Sequence, residues 1–119
     1  MHIQTALMAW AFGLCATPAQ AEEAPWPELG RQGMTRVVIV PVALAGEREA
    51  YVRQIARLCP GTDSCFINFY TNSQGAELSL PLPDAVASEA TAVFRRSAKQ
   101  GAELFRFSCR LGKDPVNCF

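Results

Sequence analysis

The sequence predicts a small α+β domain: a ferredoxin-like βαββαβ sandwich, with two helices on one face of an antiparallel sheet, stapled by two disulfides. Three observations predict it. Hydrophobic periods of two and of 3.6 residues succeed one another along residues 35–110 in the order β-α-β-β-α-β. Gly, Pro and Asn clusters punctuate the changes of period. Four cysteines follow residue 58, an even number in a short chain. A three-stranded α/β sandwich is the alternative, in which residues 76–82 form a loop.

Residues 6–16 (ALMAWAFGLCA) form an apolar run too short to cross a bilayer. Ala19-Gln20-Ala21 follows, an A-x-A site, before Glu22 and Glu23. This pattern reads as a signal peptide over residues 1–21, although no Lys or Arg precedes the apolar run. The expected location is therefore periplasmic or secreted. No second apolar run offers a transmembrane segment. Cleavage would leave 98 of the 119 residues, near the lower size at which a core is comfortable unaided. Cys59, Cys65, Cys109 and Cys118 remain, and an exported domain of this size uses such cysteines as staples. Three connectivities are available; Cys59–Cys65 and Cys109–Cys118 are expected because each pair brackets a short, turn-rich segment.

Residues 22–34 (EEAPWPELGRQGM) are rich in Pro, Gly and Glu and read as a linker or arm. Residues 35–119 are expected to make the single domain. Residues 35–44 (TRVVIVPVAL) read as a strand buried on both faces, ending near Pro41. Residues 46–58 have helical periodicity, with Tyr51, Val52, Ile55, Ala56 and Cys59 on one face. Pro60-Gly61 stops that helix. Residues 65–71 (CFINFYT) read as a strand, with Cys65, Ile67 and Phe69 on one face and Phe66, Asn68 and Tyr70 on the other. Residues 72–75 (NSQG) read as a turn, and the alternation of Leu78, Leu80 and Leu82 predicts a hairpin partner. Asp84 is an expected N-cap for a second helix over residues 85–100, with Arg95, Arg96 and Lys99 in its last turns and Gly101 as its stop. Residues 102–110 alternate again, with Phe105, Phe107 and Cys109 facing in.

The formal net charge is zero, which gives no reason to expect a nucleic acid partner. The sole histidine, His2, falls in the predicted signal peptide. The remaining chain thus lacks the imidazole of nucleophilic triads and the commonest transition-metal ligand. The cysteine spacings, C-x5-C and C-x8-C, match neither zinc knuckles nor a C-x-x-C redox motif. No Gly-rich phosphate loop joins a strand to a helix. The carboxylates Asp63, Asp84, Glu89 and Glu103 are dispersed along the sequence. The expectation is a non-catalytic domain without cofactor or metal that binds a protein or cell-envelope component. The rival is a small envelope enzyme using carboxylates, or a thiol-disulfide protein. The candidate partner surface comprises Trp26, Phe66, Asn68, Tyr70, Arg95 and Arg96; the plainer reading packs Trp26 back on its own domain, places the aromatics in the core and leaves the arginines on a solvated face. Asn68 stands out there as an amide between two aromatic residues. Arg95 and Arg96 open a C-terminal stretch with six basic and two acidic residues.

Overall fold

The computed structural model describes residues 23–119, so the predicted signal peptide lies outside the described residues. Among the described residues, five strands form one mixed sheet: β1 (Glu28–Gln32), β2 (Thr35–Ile39), β3 (Cys65–Tyr70), β4 (Ala90–Ser97) and β5 (Ala102–Phe107). Their spatial order is their sequence order. Only β2 and β3 run parallel, and the crossover between them contains α1 (Arg48–Leu58). A four-residue helix, α2 (Asp84–Ala87), precedes β4. The small α+β class holds. The sheet, however, has five strands where the ferredoxin-like arrangement has four, and one of its pairs is parallel.

Three differences from the sequence reading account for this. Residues 22–34 are not only an arm: β1 lies within them and pairs with β2 through the two-residue turn Gly33-Met34. Residues 85–100 are not one long helix: only Asp84–Ala87 is helical, and β4 follows. Pro83 takes the N-cap position expected for Asp84. Alternation in β4 was hidden because Arg96, a charged residue, takes an inward position beside Ala92 and Phe94, while Val93 and Arg95 point to the other face. Gly101 adds to the ambiguity. Its φ of +62° suits a hairpin turn as well as a helix end, and here it serves the β4–β5 turn. Residues 76–82 form no strand, as the alternative reading had it.

The core lies between α1 and the inner face of the sheet. Val38, Ile67, Phe69, Ala92, Phe94 and Phe107 supply the sheet side. Tyr51 and Ala50 supply the helix side. Tyr51 meets Phe69 and Phe107 edge to face, with ring centroids 5.0 and 5.6 Å apart. Its hydroxyl donates to the Ala45 carbonyl at 2.7 Å and lies 2.9 Å from Thr91 Oγ1. Burial pushes the Tyr51 phenol up to about 12.

The opposite face is covered differently. Residues 71–83 run as an irregular strap, and Leu80 packs on Gly30 so closely that a Cβ there would sit 3.0 Å from Leu80 Cδ1. Gly30 pairs with Val37 in the sheet, so the strap shields Val37, which is fully buried. Burial of Val37 and Val38 together makes β2 the two-sided strand its sequence predicts. Glu89 anchors the strap. Its carboxylate accepts from Thr71 Oγ1 at 2.7 Å, and from the Ser73 hydroxyl at 2.9 Å and amide at 3.1 Å. Hydrogen bonds from the Thr71 hydroxyl and the Ser73 amide hold the Glu89 carboxyl below its usual range.

Candidate functional site

The apolar face of α1 is wider than the sheet it covers. Its sequence presents Tyr51, Val52, Ile55, Ala56 and Cys59 as one stripe, but the core takes Ala50, Tyr51, Gln54 and the following Cys59 fully, and Ile55 only in part. Val52 remains 55% exposed. Val52, Ile55 and Ala56 instead form one wall of an open groove of about 410 Å3. Phe94 and Phe105 form its sheet side, and Cys59, Pro60 and Gly61 close one end. The groove lies where α1 covers β5 incompletely: Phe107 is buried in the core, Phe105 is half-buried and Glu103 is exposed.

Three charged side chains mark this groove. Arg48, the first residue of α1, places its guanidinium carbon 5.0 Å from the Phe105 ring centroid and 5.2 Å from that of Phe107. Such stacking holds a cation against aromatic surface while leaving it in solvent. Arg96 is mostly buried and acts structurally, donating to the Cys59 carbonyl at 2.9 Å and to the Asp63 carbonyl at 2.8 Å. Arg36 similarly donates to the Leu58 carbonyl. The two arginines thereby satisfy carbonyls at the negative end of the α1 dipole. Glu103 stands 3.6 Å from Arg96 at the groove rim.

The edge of β5 borders the groove. Among the described residues, no strand pairs with β5 on its far side. Ser108 N–H donates to the Thr91 carbonyl, toward β4, whereas the Phe107 carbonyl accepts from Phe119 N–H on the other side. Strand alternation therefore turns the backbone groups of Glu103 and Phe105 outward as well. Their side chains line the groove. One short stretch of β5 thus offers unpaired backbone and groove-facing side chains together. Phe119, held near β5 by the Cys109–Cys118 disulfide, closes the stretch at its Phe107 end.

The expected surface residues are not gathered into one site. Trp26 is only 4% exposed, in T-shaped contact with Tyr51 and Phe69. As docked, it belongs to the core and offers no partner surface. Gln54 fixes it there: its side-chain oxygen accepts from Trp26 N–H at 2.8 Å, and its amide donates to the Ala24 carbonyl at 3.2 Å. Phe66, Asn68 and Tyr70 share the strap-side face and are half-buried. Asn68 is engaged within the molecule, its Oδ1 accepting from Arg95 at 2.7 Å. Arg95 and Arg96 point to opposite faces of the sheet because they are neighbours on a strand. Cys59–Cys65 and Cys109–Cys118 form the two disulfides expected. The first ties the end of α1 to the start of β3, and Cys59 contributes to the groove.

The groove was missed in the sequence, although its signal was present in the surplus apolar width of α1. Among the described residues, Asp63, Asp84, Glu89 and Glu103 join no cluster of three or more His, Cys, Asp or Glu side chains suited to a metal ion. No helix of the described residues is long and apolar enough to cross a membrane. No family model, curated protein or solved structure matches this chain.

Proposed function

We propose that this chain is an exported, non-catalytic binding domain whose α1–β5 groove receives a protein or cell-envelope component. The observation that carries this reading is the conjunction of an apolar groove with an open strand edge. A helix stripe with exposed Val52 beside unpaired backbone is the arrangement of a recognition site. Two disulfides suit an oxidising compartment, and the predicted signal peptide would deliver the chain there. Of the groove charges, Arg48, exposed and stacked on aromatic rings, serves attraction and orientation, whereas Arg96 caps backbone carbonyls and shapes the groove wall.

A photocrosslinking amino acid at position 52 tests this. In envelope fractions from producing cells, the mature protein should begin at Glu22 and form a discrete adduct from position 52. The same group at Met34, which is exposed on the β1–β2 turn, should give none. Equal adducts from both positions, or none from position 52, would refute the groove as the binding site.

A further inference from the structure

We infer that the occupant of the groove is the C-terminal segment of a partner protein, added as an extended strand along β5. This rests on the binding reading above and names its ligand class. Glu103 and Phe105 offer outward N–H and C=O groups, which an extended backbone matches. Residues paired across strands share a face, so partner residues opposite Glu103 and Phe105 point into the groove. They meet Val52, Ile55 and Ala56 there, which selects apolar side chains at every second position.

Two observations favour a chain end over an internal segment. Phe119 occupies the edge just beyond Phe107, so an added strand must stop there. At that same end Arg48 holds its guanidinium over Phe105 and Phe107, with no carboxylate of the described residues paired to it. A terminal carboxylate complements this charge, whereas an amino terminus would be repelled. The partner strand therefore runs parallel to β5, with its carboxylate toward Arg48.

The test uses fluorescein-labelled hexapeptides of alternating threonine and valine, prepared as free acid and as C-terminal amide. Fluorescence anisotropy with the disulfide-bonded protein should show the free acid binding about threefold to tenfold tighter than the amide. Arg48→Gln should remove that difference. Glu103→Pro should weaken both peptides, because it deletes an outward N–H and leaves the β4 ladder intact. Should that variant fail to fold, N-methylation of the peptide's backbone amides tests the same hydrogen bonds on the native protein. Equal affinity of acid and amide overturns the chain-end assignment. Absence of binding by both peptides, or indifference to N-methylation, overturns strand addition. Either result can coexist with a position-52 adduct, so the groove reading is judged separately.

Discussion

Gln54 carries a role that no sequence pattern announces. It sits fully buried in α1 at a position where helical periodicity asks only for a residue of the inner face. Its amide holds the backbone of Trp26 and Ala24, and Glu23 adds an ion pair to Arg53 at 2.8 Å. The arm is thereby tied to the helix, and the Trp26 ring enters the core. Gln54→Leu would keep the volume and leave the buried Trp26 N–H without its acceptor. It should cost about 1–3 kcal/mol, read as a lowered denaturant midpoint, with loss of the native Trp26 fluorescence environment. An unchanged midpoint would show that the arm is held by the aromatic contacts alone. The sequence favours an arm whose Trp26 packs back on its own domain, and the structure agrees; what fixes it, Gln54, was not legible, because a buried glutamine and an exposed one look alike in a sequence.

The elements were legible where one period was unmixed. The strand at β3, the helix at α1 and the break at Pro60-Gly61 follow from local pattern, and the structure places them within two residues of expectation. β4 was not legible. Its alanines favour helix by a few tenths of a kcal/mol each, but a strand between two partners gains a hydrogen-bond ladder on both sides. The leucines of the strap gave the converse error: alternation without a partner is only an extended loop lying on Gly30. The Glu89 carboxylate fixes the start of this loop, and its lowered pKa sets the sign of the pH dependence. Because the folded value lies below the usual carboxylate value, the contribution is present above that value and is lost as pH falls through the folded one. The protection factor of the Ser73 amide, its exchange rate corrected for the intrinsic pH dependence, should therefore fall on acidification. Glu89→Gln should show the lower protection factor already at neutral pH and little further change below it. Equal protection in the two proteins at neutral pH would remove Glu89 as the anchor.

For the whole molecule, the staples close the fold at two ends of the sheet. Cys59–Cys65 fixes the corner between α1 and β3, and Cys109–Cys118 fixes the tail that borders the β5 edge. Each closes a loop of fewer than ten residues, for which loop-closure entropy gives about 2–3 kcal/mol. Cys59→Ser and Cys65→Ser should therefore lower stability equally, and the double variant should add little, in thermal unfolding followed by circular dichroism. Additive losses would mean that the two sulfurs contribute independently. These pairings were readable from the sequence because proximity along the chain and turn composition agreed. The sheet order was not, since β1 was hidden in a segment whose composition suggests a linker.

The cysteine pattern also bears on biogenesis. Among the four paired cysteines each is joined to its immediate neighbour in sequence, and no bond spans another. On the proposed export, a chain threaded through a translocation pore with its N-terminus leading exposes Cys59 and Cys65 together, then Cys109 and Cys118. An oxidant acting at the exit meets each correct couple before a wrong one is within reach. On that route the pairs can form by oxidation alone, without the shuffling that interleaved pairings require.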